Sequence, residues 1–149
     1  MKKLLCIFLL LNIMIFAEAQ SAKDSVTTTI RKFFEGMKNA DTALLRSTLS
    51  RTAILQTIKD KGGEITVGDE KISGFIGFVS QLKAGDADEQ IKVETVSVDG
   101  PLATAWTSYQ FFYKGKFSHC GVNSFQLVRI ENQWKIQYII DTRRKEGCL

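Results

Sequence analysis

The sequence predicts an α+β domain in which about three N-terminal helices close one face of a curved antiparallel sheet. Three observations carry that expectation. An apolar stripe at helical spacing runs through Val26, Ile30, Phe33, Phe34 and Met37. Three turn signals, Asp99-Gly100, Lys114-Gly115 and Glu131-Asn132, separate alternating segments toward the C-terminus. The apolar face that these hairpins build ends in a small polar island around the one histidine, His119, in Phe117-Ser118-His119-Cys120-Gly121-Val122-Asn123-Ser124-Phe125.

Each element follows in chain order. Met1-Lys2-Lys3 is a basic start, Leu4 to Phe16 is apolar but for Asn12, and Ala17-Glu18-Ala19 offers small residues for cleavage. That is the layout of a signal peptide over 1–19, cut before Gln20. It is shorter than the roughly 20 apolar residues that span a bilayer, so no stable membrane span is expected. The remainder, 20–149, has the size of one domain. Asp24 or Ser25 is available to cap the first helix, and Asp41 caps a second that runs through Leu49. Thr52 to Ile58 and Glu64 to Val67 read as strands around Lys59-Asp60-Lys61-Gly62-Gly63. Ile72, Phe75, Ile76, Val79 and Leu82 mark a third helix, in which Gly74 and Gly77 suggest close packing against the sheet. From Ile91 the apolar residues hold odd positions as far as Val93, then even ones at Val96 and Val98. The strand either bulges near Thr95 or is covered on both faces.

Two-residue turns at the three signals fix a register. His119 then falls opposite Gln110, Asn123 and Val93 opposite Trp106, Leu127 opposite Ile136, and Phe125 opposite Tyr138. Opposed residues share a face. One face gathers a candidate ligand site of Trp106, Ser108, Gln110, His119, Asn123, Tyr138 and Thr142, with aromatic surface for a flat molecule. Asp141 falls on the other face, so no second carboxylate is expected in the pocket. The other face also carries Tyr109, Phe111, Val122 and Ile139, an apolar patch that fits a homodimer.

His119 is the side chain whose ordinary pKa lies nearest neutrality, which makes it the candidate general base. A structural histidine bonded to Gln110 or a carbonyl is the competing reading. No phosphate loop, serine-nucleophile motif or metal-ligand cluster occurs, so neither cofactor nor metal is expected. The net charge of +4 is mild and its carriers are spread out, apart from Arg143-Arg144-Lys145. A nucleic-acid partner would call for a basic stripe and is not expected. After export Cys120 and Cys148 remain; in an oxidising compartment they either bridge or stay apart.

The order of helix, helix, two strands, helix and antiparallel meander resembles the nuclear transport factor 2-like superfamily. Lys116-Phe117-Ser118-His119-Cys120-Gly121-Val122-Asn123-Ser124-Phe125-Gln126-Leu127, Trp134-Lys135-Ile136 and Asp141-Thr142-Arg143-Arg144 resemble its putative lumazine-binding family. Phe33-Phe34-Glu35-Gly36-Met37 and Asp41-Thr42-Ala43-Leu44-Leu45 fit that family's first helices. The resemblance implies a cystatin-like, cone-shaped domain closed around a pocket, and frequent dimerisation. It also brings enzymes of the ketosteroid isomerase-like and SnoaL-like kinds beside non-catalytic binding domains.

The expected function is therefore an exported, periplasmic or secreted, non-catalytic domain binding an unknown small molecule. The alternatives are a lyase, isomerase or hydrolase using His119 as base, and a protein-interaction module without a small ligand.

Overall fold

The structure, a computed structural model, describes residues 2–148, with side chains from Gln20 onward. The side chains of the expected leader, 1–19, lie outside the described residues. The chain folds as α1 (Lys2–Lys38), α2 (Thr42–Thr48), β1 (Leu49–Lys61), β2 (Glu64–Glu70), α3 (Ile72–Val79), β3 (Ala87–Asp99), β4 (Leu102–Tyr113), β5 (Lys116–Ile130) and β6 (Gln133–Thr142). The strands form one curved six-stranded sheet in the order β2-β1-β6-β5-β4-β3. The sheet is mixed rather than wholly antiparallel, because β1 runs parallel to β6. Of the three helices, α3 follows the first hairpin instead of preceding the sheet. Among the described residues no helix is long and apolar enough to cross a membrane.

The stripe read from sequence is the buried face of α1: Val26, Ile30, Phe33, Phe34 and Met37 all lie in the core. Neither Asp24 nor Ser25 caps that helix, because it is already helical before them. The Ser25 hydroxyl instead donates back to the Ser21 carbonyl. Asp41 does cap α2, accepting the Leu44 N–H at 2.9 Å. A Cβ at Gly36 would lie 2.8 Å from the Leu45 nitrogen, so glycine there lets α2 fold tightly onto α1. Gly74 and Gly77 do not serve sheet packing: the first faces the Glu70 side chain and the second open space.

The hairpins decide which side chains face the helices. Lys114 and Gly115 both have positive φ, 51° and 74°, as a type I′ turn requires, and Tyr113 pairs with Lys116 around them. Glu131 and Asn132 do the same between Ile130 and Gln133. The first turn sits one residue later than expected, at Gly100-Pro101, with Asp99 paired to Leu102.

Each of the three strand pairs then carries one extra residue. Val93 pairs with Thr107 and Thr95 with Trp106, leaving Glu94 as a bulge. Phe112 pairs with Phe117 but Phe111 with His119, leaving Ser118 over. Leu127 pairs with Ile136 but Gln126 with Tyr138, leaving Gln137 over. One extra residue turns everything beyond it to the opposite face. The expected pairs of His119 with Gln110, Asn123 with Trp106, and Phe125 with Tyr138 are therefore replaced. His119 faces Phe111, Asn123 faces Thr107, and Phe125 faces Ile139.

The core consequently takes Ala103 and Ala105 from β4, Phe125 and Leu127 from β5, and Trp134, Ile136 and Ile139 from β6, all against α1. Leu102 and Trp106, expected inside, are 47% and 49% exposed on the outer face.

Candidate functional site

Beyond the bulges, the helix-facing side of the sheet turns polar. Glu89, Tyr109, His119, Asn123, Asp141 and Arg143 converge there from four adjacent strands and the residue after β6. A cavity of about 400 Å3 opens onto them, lined by Met37, Glu70, Phe75, Phe78, Glu89, Phe111, His119 and Arg143. A smaller extension, of about 100 Å3, continues inward to Phe33, Phe34, Leu55, Thr57, Asn123, Ile139 and Asp141.

Asp141 is the anchor of the inner end. It is buried, and it accepts the Thr57 hydroxyl at 2.6 Å on one oxygen. On the other it accepts the Tyr109 hydroxyl at 3.1 Å and the Arg143 Nε–H at 2.8 Å. Arg143 also donates to Thr57 Oγ1 at 3.0 Å, so the four groups close into one network. Burial works against the Arg143 cation, but the hydrogen bond and charge of Asp141 outweigh it and raise its pKa. Burial, then the charges of Asp141 and Glu89, push the Tyr109 phenol well above its ordinary value, so it stays a donor.

Tyr109 reaches Asp141 by lying across Gly121, its cross-strand partner. A Cβ at Gly121 would fall 2.9 Å from the Tyr109 ring and on top of the Thr142 carbonyl oxygen. That same carbonyl accepts the Tyr109 hydroxyl at 2.9 Å. The mid-strand glycine is thus the space through which β4 touches β6.

Glu89 stands on β3 beside this network. Its Oε1 accepts the Asn123 carboxamide at 2.9 Å, and Asn123 also reaches Thr107 Oγ1 at 3.4 Å. Part of the Glu89 residue is open to solvent, while its carboxyl is enclosed. Enclosure is the largest cause of a pKa pushed up to about 8; the charge of Asp141 adds to it, while the Asn123 bond and Arg143 oppose it. At neutral pH this side chain is a carboxylic acid. His119, half-buried, is shifted the other way, first by burial and then by the charge of Arg143. Its ring stands edge-on to Tyr109 at 5.7 Å and tilted to Phe111 at 5.1 Å. Its Nδ1 lies 3.0 Å from the Ser118 hydroxyl, and Nε2 bonds to no described residue.

Of the seven residues expected to line a ligand site, the structure brings His119 and Asn123 to the cavity. The other five lie on the outer face, turned there by the bulges. Trp106 is half-exposed, and Ser108 donates to Glu94 at 2.9 Å. Gln110 borders a separate cavity with Ser108, Lys92 and Arg144. Tyr138 donates to Gln56 at 2.6 Å, and the Thr142 hydroxyl accepts the Val122 N–H at 3.2 Å. The expected dimer patch splits as well. Tyr109 and Ile139 are buried inside and Phe111 packs on the core, leaving Val122 outside. The expectation that no second carboxylate enters the pocket is corrected: Glu89 and Asp141 both line it.

Cys120 and Cys148 are joined by a disulfide, with their Cα atoms 5.8 Å apart. Cys120 also pairs through its backbone with Arg144. The tail is therefore pinned just after Arg143. A larger groove, about 760 Å3, lies elsewhere, between α1 and Trp134 and Lys135. The Ser25, Thr28 and Thr29 hydroxyls that line it are spent on carbonyls of their own helix. Among the described residues no cluster of three His, Cys, Asp or Glu is placed to hold a metal ion.

The sequence model of one protein family, described as "Putative lumazine-binding", matches residues 21–138. A search among curated proteins found no match. Several solved structures share the fold. A nuclear transport factor 2-like protein with a cystatin-like fold from Novosphingobium aromaticivorans superposes with a TM-score of 0.68 at 14% identity, over 93% of this chain and 89% of its own. A nuclear transport factor 2-like protein of unknown function from Shewanella baltica gives 0.64 at 17% identity, over 85% and 96%. A domain of unknown function with a cystatin-like fold from Nostoc punctiforme gives 0.62 at 16% identity, over 85% and 80%.

Proposed function

This chain belongs to the putative lumazine-binding family of the nuclear transport factor 2-like superfamily, and from that premise we propose that it binds a small, flat, amphiphilic molecule between its sheet and helices. One observation carries the reading. The 400 Å3 cavity has an apolar wall of Met37, Phe75, Phe78 and Phe111, and it ends on Glu89, His119 and Arg143. An apolar lining with a few convergent polar groups is what a small-molecule site requires. Lumazine, the compound in the family's description, is a fused-ring heteroaromatic of suitable size and serves as the first probe.

The test is a thermal-shift screen with lumazine, other flat heteroaromatics and lipid-like compounds, repeated on His119→Ala and Phe111→Ala. A stabilising compound whose effect disappears in both variants supports the reading. A crystal structure in which the protein's own side chains fill the cavity would end it.

An acid–base enzyme is a second reading, favoured by one observation: Glu89 and His119, shifted in opposite directions, face the same cavity. Turnover of a bound compound that is lost in His119→Ala, with binding retained, would replace the first reading.

We propose two further properties. The chain is exported to the periplasm or beyond, a reading supported by the leader-like 1–19 segment and by the disulfide, which persists in oxidising compartments. Intact mass of the secreted protein, with and without reductant, checks both cleavage before Gln20 and the bridge. The chain also forms a homodimer through the outer sheet face, now on Trp106, Leu102 and Val122. Trp106→Glu places a charge on both sides of a two-fold axis. Sedimentation equilibrium should show a dimer for the parent and a monomer for the variant; a parent monomer would refute it.

A further inference from the structure

We propose that the inner end of this cavity selects an uncharged ligand bearing a hydrogen-bond acceptor, such as a ring carbonyl, which the Glu89 carboxyl meets as a donor while His119 Nε2 offers a second polar contact. The inference rests on the small-molecule reading above and narrows it to a ligand class.

The geometry comes first. Asn123 holds Glu89 by Oε1 alone, so Oε2 has no protein partner and the side chain borders both the main cavity and its inward extension. Asp141, the carboxylate at the inner end, has no such freedom. Thr57, Tyr109 and Arg143 occupy its oxygens. Arg143 is in turn committed to Asp141, so the one guanidinium at the cavity is already neutralised.

The charges that face Glu89 can be followed element by element. β6 and the residue after it supply the Asp141–Arg143 pair, which cancels. β4 supplies Tyr109, held as a neutral phenol. β5 supplies His119, whose lowered pKa favours the neutral ring, and the uncharged Asn123. The end of β2 supplies the Glu70 carboxylate at the mouth. From α1, Lys38 is engaged by Asp88 at 3.1 Å. Among the described residues that line the cavity the one cation, Arg143, is paired with Asp141, while Glu70 repels an anion; Lys145 acts on His119 by its charge from outside the lining. With its enclosed carboxyl protonated, Glu89 offers a donor through Oε2 at the inner end of the cavity. An uncharged acceptor gains a hydrogen bond there. A carboxylate would have to be desolvated against Glu70, with the one lining cation already paired to Asp141.

The same arrangement makes binding depend on pH. Above the Glu89 pKa of about 8 the donor becomes an acceptor, and a ligand carbonyl then faces a carboxylate. Calorimetric titration with 1,3-dimethyllumazine tests this, since that compound has carbonyl acceptors and no proton to lose across the range. Its affinity should fall at least fivefold between pH 6 and pH 9.5. In Glu89→Gln, whose amide remains a donor at every pH, the profile should be flat. 1-Naphthoate, an anion of similar size, should bind at least tenfold more weakly than dimethyllumazine at pH 7.

Dimethyllumazine binding that is equally pH-independent in parent and Glu89→Gln would overturn the inference and leave the binding reading standing. So would naphthoate binding as tightly as dimethyllumazine. If no member of the wider panel binds either, the binding reading itself falls.

Discussion

The two ends of the sheet's inner face are built from the same strands and differ in nearly every physical respect. At the end near the Gly100-Pro101 and Glu131-Asn132 turns, Phe125, Leu127 and Ile136 are fully buried against α1, with Ala103, Ala105 and Trp134 around them. At the other end Glu89, Asn123, Asp141 and Arg143 occupy the same face. Glu94 on β3 and Gln137 on β6 lie between the two, while Ser118 on β5 lies past His119 at the far edge of the site. The first end is apolar inside, and the groove at its edge is lined by hydroxyls spent on carbonyls of their own helix. The second keeps every buried side-chain nitrogen and oxygen satisfied among the described residues and leaves a cavity beside them. One face of a sheet can thus serve as core and as site, provided the strand register changes where the one becomes the other.

Substitutions separate the two ends. The largest effect belongs to the apolar end. Phe125→Ala removes a fully buried ring that stands edge-on to Phe34, and should cost about 3–5 kcal/mol in urea unfolding. The titration of Glu89 should be unaffected as long as the variant folds. Cys148→Ser comes next. It opens a link between residues 28 apart in sequence, and by loop entropy the loss is about 3 kcal/mol. Because the tail begins just after Arg143, this variant should also weaken ligand binding, which Phe125→Ala reaches only through global stability. Calorimetry on both variants below their melting temperatures separates the two effects.

Asp141→Asn is smaller in stability and larger in consequence for the site. The carboxamide has one acceptor oxygen where three donors converge, so a loss of about 2 kcal/mol is expected. With the neighbouring negative charge gone, the Glu89 midpoint should move down, read by NMR titration.

How far the sequence carries can be judged from particular residues. The stripe of α1, the Asp41 cap and the two turns at Lys114-Gly115 and Glu131-Asn132 were legible, because periodicity and left-handed turn positions are local properties. The Glu94 bulge was legible as one of two alternatives, since Val93 and Val96 break alternation by themselves. The bulges at Ser118 and Gln137 were not. Phe117 and His119 alternate cleanly through the first. At the second, Ile139 and Ile140 are both apolar and hide which of them turns inward. The extra residue at Gln137 hides that Asp141 turns inward, and the one at Ser118 hides that Trp106 and Ser108 turn outward and Tyr109 inward. Glu89 left no signal at all. It looks like an ordinary polar residue in a strand, and its chemistry arises from enclosure by Asn123 and from Asp141, residues distant in sequence. Gly121 teaches something different: nothing next to it in the sequence explains a mid-strand glycine, yet it is the gap that lets Tyr109 reach Asp141.

One effect appears only as pH changes, the linkage of Glu89 to stability. The group titrates near 8 in the folded protein and near the ordinary glutamate value of about 4.3 when unfolded. Between those values the folded state keeps a proton that the unfolded chain releases. Stability therefore declines as pH rises through that window and levels off above 8. Glu89→Gln has no proton to lose, so relative to its value near pH 4.5 it should gain on the parent by roughly 4 kcal/mol at pH 8.5, in urea melts at the two pH values.

The account's central claim is that register changes bring Glu89 into an enclosed site beside Asp141, and the carbon-13 NMR titration of the Glu89 carboxyl tests it most directly. With the resonance assigned by its absence in Glu89→Gln, the predicted midpoint is near 8, falling in Asp141→Asn. A midpoint near 4.3, unmoved by that substitution, would place the carboxyl in solvent and contradict the account.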